Sequence, residues 1–235
     1  MKKNTVPETE EKTAGQPVSP EIQGEECSDR SAGVQYRQSD RKRMLSVGVL
    51  AVCTALAAAA SYSLHIDPPM VNVAGAFAVI VTVLILMRFV KIPDGLFYTG
   101  LVFIFFASPM GSVIDLYRLW APYDKIVHFA SGLLLAAAGY ALCLWLYEKI
   151  SIEALQMWKK RDSKPVLSIL ILFAFLTASG GAGIWEIFEF TADKIAGGGM
   201  QRGMVDTLTD MIAGNLGGIA YCAYMLINNI HKTSR

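Results

Sequence analysis

The sequence predicts an all-α fold, a polytopic transmembrane bundle of about six helices with both termini on the cytoplasmic side. Three observations predict it. The chain of 235 residues is 53% hydrophobic and only 17% charged, too little polar content to cover a water-soluble domain of this size. Its apolar residues are gathered into runs of the length that a bilayer core of about 30 Å demands, roughly 18 residues or more. Its Lys and Arg residues fall mostly on alternate connections, the pattern that sets orientation in a membrane.

Residues 1–40 are polar and aperiodic, rich in Pro, Gly, Ser, Glu and Lys. Such a composition buries too little apolar area to offset its ordering entropy, so a disordered cytoplasmic tail is expected, followed by a six-helix domain over 41–235. The first span, 44–64, follows Arg41-Lys42-Arg43. Its leader is far too long for a signal peptide's charged region, and the run is long enough to cross, which favours a retained anchor. His65 to Pro69 then form a turn, because consecutive prolines cannot continue a helix. The second span covers 71–90. The third covers 95–117 and contains Pro109 and Gly111, where a kink is expected. The fourth, fifth and sixth cover 126–147, 166–192 and 205–228.

With this assignment, one side carries 17 Lys and Arg residues and the other carries four, namely Arg118, Lys125, Lys194 and Arg202. The excess marks the cytoplasmic side and puts both ends there. Tyr117, Trp120 and Tyr123 then fit an outer aromatic belt. In the inner connection, Ile152, Leu155 and Trp158 recur beside Lys159-Lys160-Arg161 and suggest a short helix on the membrane surface, against the plainer reading of a positive loop. The last two spans carry dense small-residue clusters, Ser179 to Gly183 and Gly214, Gly217 and Gly218, which predict close packing of the fifth span on the sixth. The four cysteines at 27, 53, 143 and 222 form no paired motif and read as small apolar fillers. A net charge of +1 argues neither for nor against acidic partners, and no nucleic-acid partner is expected.

The chemistry sits in three pairs of ionisable residues. Asp124 and His128 open the fourth span at i, i+4; Glu186 and Glu189 stand near the end of the fifth at i, i+3; Asp206 and Asp210 open the sixth at i, i+4. Each spacing puts both members on one helical face. The alternating directions of the spans bring all six to one level near the outer surface. Asn215 lies about a turn and a half deeper. Asp124 and Asp206 also suit helix N-termini, where an acidic side chain complements the dipole. Glu186 and Glu189 are flanked by Trp185, Ile187, Phe188 and Phe190, and a charge among lipid-facing residues points to function. Five carboxylates drawn together must be protonated, paired with Lys125, Lys194 or Arg202, or bridged by a cation. Carboxylate oxygens with one imidazole suit zinc, manganese or iron better than magnesium. A metal held by Asp124, His128, Glu189, Asp206 and Asp210, with Glu186 as general base and Asn215 orienting a ligand or substrate, would serve hydrolysis.

The set Asp124-Lys125-x-x-His128-Phe129, Glu186-x-x-Glu189 and Asp206-x-x-x-Asp210-Met211 resembles the YjdF-type family of uncharacterised bacterial inner-membrane proteins. More distantly, the Asp-Lys-x-x-His start and the Asp…Asn…Gly final helix are similar to VanZ-like membrane proteins. The likeness runs over residues 93–225 and implies a multi-pass protein of the bacterial cell membrane without assigning an activity. Three functions stay open at this point: a metal-dependent hydrolase or transferase acting on a lipid or lipid-linked substrate at the outer leaflet of the bilayer, a proton- or cation-coupled transporter, and a non-catalytic scaffold whose acids lock the last three helices.

Overall fold

A computed structural model describes residues 20–65, 70–90, 92–150, 164–196 and 199–233. Seven α-helices and one π-helical stretch account for most of them. They are α1 (Pro20–Ser63), α2 (Met70–Phe89), α3 (Asp94–Phe105), the π-helical Phe106–Val113, α4 (Leu116–Leu119), α5 (Pro122–Ile150), α6 (Lys164–Ala196) and α7 (Met204–Thr233). Among the described residues, six segments are long and apolar enough to cross a membrane: Asp40–Ser63, Met70–Phe89, Asp94–Val113, Pro122–Tyr147, Pro165–Ile195 and Met204–Asn229. The all-α, six-span architecture expected from the apolar runs is therefore the observed one. Helix α1 starts at Pro20, ahead of the apolar run, while residues 1–19 of the expected tail and the expected surface helix at 152–158 lie outside the described residues.

The chain divides into two compact units, Met1–Leu45 and Ser46–Arg235. The second holds the core and the candidate site. Large side chains such as Val81, Leu172 and Ile212 stand exposed around it. In water such a surface would drive aggregation, whereas in lipid it is the solvated face. Inside, Val47, Leu50, Ile80, Phe97 and Leu101 join α1, α2 and α3. The seam of α5, α6 and α7 is built from smaller residues, Ala136, Ala174, Ala178 and Cys222.

Small residues dominate that seam because lipid tails are as apolar as Leu, so helices associate by close van der Waals contact of backbones. The expected packing of the fifth span on the sixth is present: a Cβ at Gly214 would lie 3.0 Å from Ala182 Cβ, and one at Gly218 would lie 2.8 Å from Ala178 Cβ. The tightest approach is nevertheless between the fourth and sixth. A Cβ added at Gly132 would run into the Gly214 carbonyl, and one at Gly217 into the Phe129 carbonyl.

The interruption expected at Pro109 takes the form of the π-helical stretch, with Pro109 inside it. Proline has no N–H to give, and a widened turn redirects the remaining carbonyls. In lipid those carbonyls need protein partners. Tyr123 Oη donates to Phe106 O at 2.7 Å, Tyr117 Oη to Ala107 O at 3.0 Å, Asn72 Nδ2 to Ser112 O at 3.0 Å and Ser61 Oγ to Val113 O at 2.7 Å. The third span ends at Val113, short of residue 117, because Asp115 takes a left-handed conformation, φ 69°, and starts the separate turn α4. Asp is among the residues that tolerate this region. The expected aromatic belt is correspondingly reduced. Trp120 is exposed, but Tyr123 is buried and Tyr117 turns its hydroxyl inward to the π-helical stretch.

Candidate functional site

The N-termini of α5 and α7 and the C-terminal part of α6 come together at one end of the bundle. Pro122 begins α5, and Asp124 sits in its first turn, where the helix dipole favours a negative charge. Asp206 stands likewise in the first turn of α7. Just before α7, Gly203 has φ 111°, a conformation closed to most side chains, which turns the chain so that Arg202 faces Asp124. On the other side, the Tyr123 hydroxyl anchors the start of α5 to the π-helical stretch and so sets the position of the next residue, Asp124.

Five carboxylates gather here, all of them expected from the spacing. Asp124, Glu186, Glu189 and Asp210 are buried, Asp210 with only 1% exposure, and Asp206 is half-buried. Two permanent cations neutralise part of the charge. Lys125 Nζ donates to Asp206 Oδ1 at 2.7 Å and to Asp210 Oδ1 at 2.6 Å, and lies 3.7 Å from Asp124 Oδ2. Arg202 Nη2 bonds Asp124 Oδ2, and its Nε lies 3.5 Å from Asp206 Oδ2. Lys194, the third cation considered, instead lies over the Phe190 ring at 5.6 Å.

His128 is the hub of the inner layer. Its Nε2 is 3.5 Å from Asp124 Oδ1 and 3.8 Å from Asp210 Oδ1, and its Nδ1 is 4.0 Å from Glu186 Oε1. Donor atoms of Asp124, His128 and Asp210 all lie within 4.8 Å of one another. Ligands at about 2.0–2.2 Å from a tetrahedral ion stand about 3.3–3.6 Å apart, so the two measured edges, 3.5 and 3.8 Å, are close to what an ion would require. The other expected residues are engaged differently. Glu189 Oε1 accepts from Trp185 Nε1 at 2.8 Å, and Asp206 is held by the two cations. Asn215 donates back to Met211 O at 2.8 Å and lines an open apolar groove along α7 with Leu208, Met211, Ile212, Leu216 and Ile219. Glu186 Oε1 is buried without a hydrogen-bond partner.

Sequence reasoning weighed Lys125 and Arg202 only as counter-charges, yet they are the groups that tie α5 to α7. The signal available for Lys125 was its place inside Asp124-Lys125-x-x-His128, where one turn of helix aims residues 124, 125 and 128 toward the same neighbour. Tyr117, outside the spans, was read as an interfacial ring. It packs over Gly111, and its phenol is pushed up from the usual tyrosine range, by burial first and by the negative charge of Asp124 second. Its backbone carbonyl accepts from Arg202 Nη1 at 3.4 Å.

A protein of Thermotoga maritima, described only as uncharacterised, is 31% identical over 115 residues, which is 48% of this chain and 53% of its own length. The chain thus spans about half the length of that curated relative. No solved structure matches. A family model described as "Predicted membrane protein (DUF2238)" matches residues 41–231, and so takes in all six spans and every member of the cluster. The chain belongs to this family of membrane proteins.

Proposed function

We propose that Asp124, His128 and Asp210 hold a divalent cation, and that the site serves hydrolysis or group transfer on a lipid-type substrate reached from the bilayer. The observation that carries this reading is the buried triangle of donor atoms, all within 4.8 Å, whose two edges at His128 Nε2, 3.5 and 3.8 Å, are close to what a tetrahedral ion needs. Three protein ligands leave one position open, as catalytic sites do. Zinc, manganese and iron(II) suit two carboxylates and an imidazole. A bound cation offsets the repulsion among five carboxylates and makes a water acidic enough to attack at neutral pH.

The ligand set is narrower than the one expected from spacing. Asp206 serves as the counter-charge that holds Lys125 and Arg202 at the rim, and Glu189 stays with the Trp185 indole. Support for an amphiphilic substrate comes from the apolar groove along α7, the same helix that carries Asp210, with Asn215 as its one polar lining residue. A substrate lying in this groove would keep its chain in lipid, with Asn215 as its polar contact. The resemblance to YjdF-type proteins and the Lys/Arg count further support a bacterial cell membrane with both termini in the cytoplasm and the cluster near the outer surface. A Trp120→Cys protein, labelled in intact cells by a membrane-impermeant maleimide, tests that orientation; labelling only after the membrane is opened would reverse it.

Metal analysis of the purified protein tests the site itself. One equivalent of zinc, manganese or iron is expected, lost in Asp210→Ala and in His128→Ala. Folded protein that takes up no divalent ion from any of the three would end the reading. A second reading, a scaffold lock, draws on the Lys125 bridge between α5 and α7. It predicts that the same substitutions lower stability in metal-free protein and change nothing else.

A further inference from the structure

We propose that Glu186 is the positioning residue of His128, fixing the imidazole through Nδ1 so that Nε2 is presented to the cation. The inference rests on the metal reading above and departs from the general-base role that the sequence suggested for Glu186. Its basis is the arrangement around one ring. Nε2 faces the ligand triangle, 3.5 Å from Asp124 Oδ1 and 3.8 Å from Asp210 Oδ1, while Nδ1 faces Glu186 Oε1 at 4.0 Å. The two nitrogens of an imidazole point well apart, so a carboxylate whose nearest contact is Nδ1 can bond that nitrogen and leave Nε2 to the triangle. A general base needs hydrogen-bond reach of the water it activates. The Glu186 oxygen nearest the ring faces the nitrogen that is not in the triangle.

The second observation is Oε1 itself. Glu186 is 4% exposed, and this oxygen has no hydrogen-bond partner. A buried acceptor left unpaired is costly, and in this fold the group it faces is the imidazole Nδ1, which would carry the ring proton if Nε2 bound a cation. Closing the 4.0 Å gap to hydrogen-bond length takes a movement of about 1.2 Å, within the range of a side-chain adjustment. Metal-ligating histidines nearly always donate their second ring N–H to a carboxylate, carbonyl or water, which sets the tautomer and the ring plane. Helix α6 supplies that carboxylate from the third side of the seam, so all three packed helices take part: α5 and α7 the ligands, α6 the brace.

The test uses the full-length protein in detergent, titrated with Co2+ and Zn2+. Wild type is expected to bind one Co2+ with visible d–d bands, displaced by Zn2+. Glu186→Leu is expected to weaken binding about 10- to 100-fold and to alter the band pattern, whereas Glu186→Gln, which keeps an acceptor oxygen, stays within about threefold of wild type. Metal-free Glu186→Leu is expected to melt at or near the wild-type temperature, since it removes a buried carboxylate oxygen, Oε1, that has no hydrogen-bond partner. A merely structural role would lower it. Glu186→Ala serves in its place if the leucine variant does not fold. Wild-type affinity and spectrum in Glu186→Leu or Glu186→Ala would overturn the inference and leave the cation site standing. A wild type that binds neither ion would remove the site and this role together.

Discussion

Replacing Lys125 by Met removes a group of α5 that bonds both acids of α7. Its ammonium lies 2.6 Å from Asp210 Oδ1 and 2.7 Å from Asp206 Oδ1. At an effective dielectric constant of about 20, each contact is about 6 kcal/mol of raw attraction, most of it offset by desolvation. Breaking a fully buried pair costs about 3–5 kcal/mol, and an exposed one about 0.2–1 kcal/mol. Asp210 belongs to the first class at 1% exposure, but Lys125, one-third exposed at 33%, lies between the two. A net loss of about 2–3 kcal/mol follows, which for a chain of this length is roughly 4–12 °C in Tm. Asp206 keeps Arg202 after the change, so nearly all of the cost falls on the stranded Asp210 carboxylate. Thermal unfolding in detergent measures the loss. Adding Asp210→Asn to Lys125→Met should recover much of it, because the uncompensated charge is gone. Zn2+ should raise the Tm of Lys125→Met more than that of wild type, since an ion on Asp124, His128 and Asp210 supplies the missing positive charge. Lys125→Met melting indistinguishably from wild type, or a double variant less stable than the single one, would refute the reasoning.

Gly132→Ala forces α5 and α7 apart, because the new methyl meets the Gly214 backbone, whose carbonyl carbon would be 2.8 Å away. Backbone cannot yield as a side-chain end does, so a loss at the upper part of the usual 1–3 kcal/mol for overpacking is expected, read as a lower Tm, while Gly100→Ala, with nothing within 4 Å, should be neutral or better. Tyr117→Phe leaves the Ala107 carbonyl without its donor and should cost about 1 kcal/mol near neutral pH. The folded protein holds this phenol above its ordinary 10.0, so its contribution is complete below that pH and drains away as pH rises beyond it. Stability of Tyr117→Phe should therefore fall less steeply above pH 10 than that of wild type, and parallel curves would contradict the assignment.

The six spans were legible because a bilayer imposes a length on every crossing helix, and that length is visible in composition alone. The co-planar acids were legible too, since alternating direction plus an i, i+4 spacing places Asp124, His128, Asp206 and Asp210 without any knowledge of packing. Neighbour choice was not. In α2 the inward Ala76 and Ile80 and the outward Val81 and Ile85 are all apolar, so the pattern that would mark an inner face in a soluble protein is missing. For the same reason the glycine clusters of the fifth and sixth spans named two partners correctly but hid Gly132, whose isolated position in the fourth span carries the closest contact. Pro109 announced a break without its form. The inward turn of Tyr117 and Tyr123 depends on the Ala107 and Phe106 carbonyls that accept their hydroxyls, and no spacing rule reaches across from residue 123 to residue 106. Lys125 was legible as a counter-charge, but that it bridges Asp206 and Asp210 appears only once α7 is beside it.

The widened turn at Phe106–Val113 has a mechanical consequence. Its carbonyls accept from Ser61, Asn72, Tyr117 and Tyr123, which belong to α1, α2, α4 and α5. Rotating or sliding the third span about its own axis would break all four anchorages at once, so that span acts as a keyed shaft and not as a piston. One of those anchorages is on Tyr123, one residue from the Asp124 carboxylate, so the start of α5 is tied to the same interrupted turn that holds α1 and α2.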